Sequence, residues 1–178
     1  WELGAEQALF GERFSLGVTY YRNRFEDLID YDMTAWKYVN VAEALTRGVE
    51  LSLSGVPAER VTLKASYTYT KGEDQNGLTL LRRPKHKYSL DLGWRFLDSA
   101  SWNLTLIGVG ERDDLVFTGG GSNRAALEGY LLVNTALSYD PLRSVRLFAR
   151  IDNLLDKTYY EAWGYGTPGF SLYGGVRL

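Results

Sequence analysis

Apolar and polar residues alternate along most of this chain. Phe14, Leu16, Val18 and Tyr20 are interleaved with Ser15, Gly17, Thr19 and Tyr21, and Val49, Leu51 and Leu53 with Glu50, Ser52 and Ser54. The same period recurs in Val61–Thr70, Lys87–Phe96, Val145–Asp152 and the terminal stretch Phe170–Leu178. Trp1, Leu3 and Ala5 oppose Glu2, Gly4 and Glu6 in the same way. A period of two is that of an extended strand with one apolar face. Trp102–Gly110 and Tyr130–Tyr139 alternate less cleanly, and no segment carries a long helical spacing. The pattern predicts an all-β, antiparallel chain of about nine strands.

The connections come in two kinds that take turns. Phe10–Arg13, Val56–Arg60, Leu97–Ser101 and Asp140–Ser144 are short. The segments around Asp32–Lys37, Lys71–Arg83, Glu111–Gly129 and Asn153–Gly169 are longer and polar or glycine-rich. Short turns at one end and long loops at the other are the build of a transmembrane β-barrel. Alternation alone does not say which face meets lipid, because a soluble lipocalin-like barrel would turn the apolar face inward. Charged residues on the polar faces, such as Glu50, Lys64, Asp91 and Arg150, suit a wet lumen and a soluble exterior equally. The aromatics decide for lipid outside. Tyr67, Tyr69, Tyr88, Trp94, Phe96 and Trp102 collect near strand ends on the apolar face, where rings with a polar edge anchor a barrel at its two interfaces.

Strand parity adds an expectation. A complete bacterial single-chain barrel has an even strand number, so an odd count predicts the C-terminal portion of a larger barrel. Its edge strands, around Trp1–Leu9 and Phe170–Leu178, then need partners. A piece of this kind on its own is expected to close by strand slippage or by edge-strand self-association.

Composition narrows the class only a little. The 178 residues carry a formal charge of −2, which offers nothing to nucleic acid. There is no cysteine, hence no disulfide framework and no thiolate metal site. Aromatic content of 14% with only 4 Pro speaks against disorder. No apolar run approaches the ~18 residues of a membrane helix, which leaves a barrel open.

No catalytic constellation can be assembled. The single histidine, His86, stands among Arg82, Arg83, Lys85 and Lys87 without a second His or Cys to share a metal. It is expected to be a solvated residue at the lumen rim, and no metal site is assigned. Asp113-Asp114 offers carboxylate oxygens of the kind calcium takes, although paired aspartates are common on loops. Gly119–Ser122 is expected to be a flexible loop tip. The best ligand-contact candidates are loop aromatics: Tyr31 and Trp36 in the first long loop, and Tyr159, Tyr160, Trp163 and Tyr165 in the last. Flat rings with a hydrogen-bonding edge grip a bulky ligand at small entropic cost. The alternative role for these rings is interfacial girdle or loop packing.

Four stretches carry a family resemblance. Asn153-Leu-Leu-Asp-Lys-Thr-Tyr159 and Gly164-Tyr-Gly-Thr-Pro-Gly169 precede the last strand, Asn40–Glu50 resumes a strand after an outer loop, and Leu80-Leu-Arg-Arg-Pro-Lys-His-Lys87 leads from loop to strand. Together they resemble the C-terminal half of a TonB-dependent outer-membrane receptor. The Leu-Arg-Arg and Tyr-Gly-Thr-Pro-Gly stretches are most similar to the cobalamin-receptor type, and siderophore and haem receptors share much of the pattern. The resemblance implies a barrel of about 22 strands plugged by an N-terminal domain. Residues 1–178 would be the C-terminal part of that barrel, with the plug domain absent. It further implies a bacterial outer-membrane location and no enzymatic activity. The implied task is uptake of a scarce metal chelate, cobalamin or ferric siderophore, with energy from TonB reached through the missing plug, and no covalently bound cofactor. The partners are outer-membrane lipid and the remainder of the barrel. One departure is the final residue, Leu178, where such barrels usually end on an aromatic. Two other readings remain: a small complete outer-membrane barrel of about eight or ten strands, structural or lipid-modifying, and a soluble lipocalin-like binder.

Overall fold

A computed structural model describes residues 1–32, 36–41, 43–118 and 121–178. The long strands are β1 (Glu2–Leu9), β2 (Phe14–Phe25), β5 (Ala44–Ala58), β6 (Val61–Asp74), β7 (His86–Leu97), β8 (Ala100–Val109), β11 (Tyr130–Leu142), β12 (Val145–Asp152) and β13 (Ser171–Arg177). Two small hairpins stand in the long loops, β3 (Leu28–Asp32) with β4 (Lys37–Val41), and β9 (Arg112–Thr118) with β10 (Gly121–Leu127). The long strands form one nine-stranded antiparallel sheet in the order β1-β2-β5-β6-β7-β8-β11-β12-β13. Each strand therefore pairs with the next long strand in the chain. The predicted strand number holds, and β1 and β13 are the two edges of the sheet.

The register explains why alternation was readable. The cross-strand row Ala5–Val18–Leu51–Tyr67–Tyr88 continues to Gly108 and Leu131 on one face. The next row, Glu6–Gly17–Ser52–Ser66–Ser89, lies on the other. Among the described residues no second layer covers the apolar face. Leu16, Val18, Leu147, Leu172 and Val176 all lie exposed on it. The hydrophobic residues that are buried, Ala44, Ala100, Val109 and Leu127, are few. The polar face is the concave one. Hollows of about 790 and 400 Å³ open on it, the first lined by Tyr21, Glu50, Ser66, Thr68 and Lys87, the second by Asn103, Ser138, Phe148 and Arg150. A lipocalin-like binder would enclose the apolar side chains; here they face outward.

The aromatics mark two levels on that outward face. At the long-loop end Tyr67 and Tyr69 flank His86, with Tyr69 directly opposite it in register. His86 therefore belongs to the apolar face rather than the lumen rim expected from its basic neighbours, and its Nδ1 lies 2.8 Å from the Tyr67 hydroxyl. At the short-turn end Trp94 meets Phe96 at 5.5 Å and pairs across to Trp102. Between Tyr88 and Trp94 the strand runs about 20 Å at ~3.3 Å per residue, through Leu90 and Leu92. No helix among the described residues is long and apolar enough to cross a membrane. Strands β5, β6 and β7, of 15, 14 and 12 residues, exceed the ~9–11 a membrane strand requires.

The two stretches that alternate poorly are β8 and β11. Their upper concave face carries Ile107, Val109, Leu132 and Tyr130 in place of polar residues. These lie beneath the long loops, where Leu127 and Val109 are buried. Two loops also hide structure the pattern did not show: β3–β4 and β9–β10 are too short to betray a period.

A single-layer wall makes the cost of a charge depend on its face. We expect Leu104→Lys, mid-wall on the apolar face, to cost about 2–4 kcal/mol in chemical unfolding of the intact protein from lipid vesicles. Asn103→Lys, one residue away on the concave face, is expected to be close to neutral.

Candidate functional site

Three of the long loops converge above the concave face, and Asp114 joins them. Its carboxylate is fully buried. Oδ1 accepts from Arg82 Nε at 2.7 Å and from the Leu115 amide at 2.8 Å. Oδ2 accepts from the Trp163 amide at 2.6 Å. Arg82 belongs to the loop between β6 and β7, Asp114 to β9, and Trp163 to the loop before β13. Arg82 has a left-handed backbone, φ 56°. Its own amide donates to the Asp113 carbonyl at 2.7 Å, so both ends of the residue are held against the strain such a conformation carries. Burial pushes the Asp114 carboxyl up, but the hydrogen bonds from Trp163, Arg82 and Leu115 outweigh it and hold the carboxyl below the usual range.

A second set of contacts runs beside the first. Arg112, also buried, donates to the Tyr160 carbonyl, and its guanidinium carbon stands 5.3 Å above the Tyr130 ring. Tyr130 packs on Tyr159 with centroids 4.5 Å apart. Arg124 donates to the Thr79 carbonyl and to Asp113 Oδ2. The last loop is braced from below by Asn153, whose side-chain amide donates to the carbonyls of Lys157 and Pro168 while its Oδ1 accepts from the Lys157 amide. Asn153 is left-handed at φ 52°, a conformation Asn tolerates better than most residues. Farther along, Phe170 donates its amide to Asp156 Oδ1 at 2.8 Å, which returns the chain to β13.

The candidate aromatics fall in different places. Tyr160 and Trp163 line one pocket of about 340 Å³ with Tyr130, Tyr159, Leu127 and Lys157. That volume is at the low end for small-molecule sites, enough for one ring or headgroup of a bulky ligand. Tyr165 is 73% exposed and outside that lining. Trp36, 77% exposed, stands at the turn of the β3–β4 hairpin. The backbone of Tyr31 is in β3, opposite Tyr38, and its side chain lies outside the described residues, as do Gly119 and Gly120 of the expected flexible tip. Beneath the loops the larger concave hollow presents Arg83, Lys87, Glu50 and several hydroxyls.

Asp114 is thus a knot between loops, with both carboxylate oxygens hydrogen-bonded. No group of three or more His, Cys, Asp or Glu among the described residues could hold a metal ion. Sequence reasoning noticed Asp113-Asp114 and Arg82-Arg83 separately. Nothing in a one-dimensional pattern links positions 82, 114 and 163. Arg112, Tyr130 and Asn153 carry no signal in the sequence that marks them as parts of the site.

Residues 1–154 match the family model of the TonB dependent receptor-like β-barrel. The chain belongs to the TonB-dependent receptor family. It is 35% identical over 149 residues to the vitamin B12 transporter BtuB of Vibrio cholerae serotype O1, which covers 83% of this chain and 24% of that protein. Among solved structures, the ferripyoverdine receptor of the Pseudomonas aeruginosa outer membrane superposes with a TM-score of 0.84 at 21% identity, covering 99% of this chain and 26% of the receptor. The copper transporter OprC gives 0.77 at 19%, covering 98% and 30%. The chain spans about a quarter of the length of the curated relatives it matches. It is barrel wall of an outer-membrane receptor, with long loops at one end of its strands and short turns at the other.

Two outcomes are expected for this TonB-dependent receptor. Asp114→Ala orphans the amides of Leu115 and Trp163 and should cost the loop cluster about 1–3 kcal/mol, read as roughly tenfold faster hydrogen exchange at Trp163 with the strands unaffected. Because the Asp114 carboxyl is held low, its contribution is complete above the ordinary carboxylate value and fades as pH falls below it. The Trp163 resonance in fluorotryptophan-labelled receptor should therefore move on acidification below about pH 4, and Asp114→Asn should remove that step.

Proposed function

We propose that residues 1–178 form the C-terminal part of the barrel wall of a receptor that takes up a scarce metal chelate, with cobalamin the favoured cargo. The plug domain and the rest of the barrel would be supplied by further chain, and energy by TonB acting through the plug. The observation that carries the cargo is the 35% identity to a vitamin B12 transporter across most of this chain. A ferric siderophore is the second reading, since the ferripyoverdine receptor shares the fold. That likeness stands at 21% identity and speaks for the fold alone.

On this reading the outer-loop aromatics touch the cargo. Tyr160 and Trp163 offer ring faces at one pocket, Tyr165 and Trp36 offer exposed rings beside it and on the first hairpin, and Tyr31 belongs to the same hairpin. Arg112 and Asp114 behind them set the backbone in place rather than making contact. Arg112 holds the Tyr160 carbonyl and Asp114 holds the Trp163 amide, so the backbone carrying both rings is fixed before a ligand arrives, which lowers the ordering cost of binding.

Equilibrium binding of cyanocobalamin to cells displaying the intact receptor tests both parts. We expect saturable binding that an excess of ferric siderophore leaves unchanged, and a loss of about tenfold or more for Trp163→Ala with Tyr165→Ala. Siderophore competition would move the cargo to the second reading. Unchanged affinity in the double variant would leave these rings as girdle and loop packing.

A further inference from the structure

The outward face carries a row of cations just beyond its aromatic level. Arg22 is opposite Arg47 across β2 and β5, and Arg47 is opposite Lys71 across β5 and β6. The three share a face with Tyr20, Val49 and Tyr69, which form the row immediately below. No bulge interrupts the β2–β5 register from Phe14 to Phe25, so the parity is secure. Residues of the opposite parity, Tyr21, Thr46, Glu50, Thr68 and Thr70, line the concave hollow, and none of the three cations does. With strands ~4.8 Å apart, the row spans about 10 Å.

The charges on this patch are not evenly matched. Lys71 pairs with Glu73 at 2.7 Å. Arg24, one row farther out, is held by Glu26 and Glu43. Arg22 and Arg47 are exposed and have no carboxylate partner among the described residues. Two unpaired guanidiniums and an ammonium thus stand side by side on a hydrocarbon-facing wall at its outer boundary. Planar guanidinium donors suit phosphate oxygens, which they can take two at a time.

We propose that Arg22, Arg47 and Lys71 form a binding site for the phosphorylated headgroup of an anionic lipid in the outer leaflet. Its acyl chains would lie down the wall over Tyr20, Val18 and Leu51, and Trp1, 5.4 Å from Tyr20, would flank them. The site lies on the opposite face of the wall from the lumen, so it serves placement in the membrane and not cargo capture. It rests on the outward orientation of the apolar face and is independent of which chelate is carried.

The test is titration of the intact receptor in neutral detergent with lipid A, a doubly phosphorylated glycolipid, read by native mass spectrometry. We expect Arg22→Ser with Arg47→Ser to weaken lipid A binding about thirtyfold, from roughly fivefold per cation. Arg22→Lys with Arg47→Lys should keep most of the affinity, and Lys64→Ser on the concave face should keep all of it. Dephosphorylated lipid A should bind the unaltered receptor no better than lipid A binds the double serine variant. Equal lipid A binding by the double serine variant, an equal loss with Lys64→Ser, or displacement of lipid A by comparable inorganic phosphate would each overturn the assignment. None of these readouts involves uptake, so a wrong cargo would leave the result unaffected.

Discussion

In hydrocarbon a peptide group has no water to turn to, so each N–H and C=O of a membrane wall must be met by a neighbouring strand. The nine-stranded antiparallel ladder follows from that demand. Every strand of that sheet between the edges β1 and β13 is bonded on both sides, and the short turns between paired strands are only as long as the register needs: Ala58 pairs with Val61, Leu97 with Ala100, and Leu142 with Val145. Each of those pairs sits beside a register shift, the local irregularity by which a tight turn fits the twist of its strands. Once the ladder satisfies the backbone, the side chains are free to sort by face.

That sorting separates two tasks. The outward face holds Leu, Val and Ala between two aromatic levels and carries its cations only beyond the upper one. The concave face keeps its polar groups paired across strands, as in Ser66 with Ser89, Thr105 with Asp91, and Ser101 with Ser138. Above the membrane neither rule applies, and the loops are held instead by buried charge. Asp114 is bonded by Arg82 and Trp163 and Arg112 bonds Tyr160, each across segments, and no buried side-chain polar atom among the described residues lacks a partner. A buried charge network of this kind is costly to leave half made, which makes it specific about where each loop lies.

Family membership and the geometry support each other from different directions. The relatives bind different cargoes on one wall. The strands are therefore the shared part, since one fold can carry different sites. In this chain the backbone at Tyr160 and Trp163 is set by the Arg82–Asp114–Trp163 knot and by Arg112 beside Tyr160. Ring placement in the last loop thus depends on two other loops, and a change in any of them would reach the pocket.

The amino-acid sequence by itself determined the strand class, the number of long strands, the alternation of short turns and long loops, and the two aromatic levels. Each is a local property, carried by a period of two or by turn length, and survives without knowledge of neighbours. The tertiary structure decided what depends on register and on distant partners. It moved His86 from the rim to the outward face because Tyr69 stands opposite it. It made Asp114 a junction because Arg82 and Trp163, 32 and 49 residues away, donate to it. It also set Arg22, Arg47 and Lys71 in one row, a cluster that no reading along the chain contains, because cross-strand neighbours are defined only once the ladder has closed.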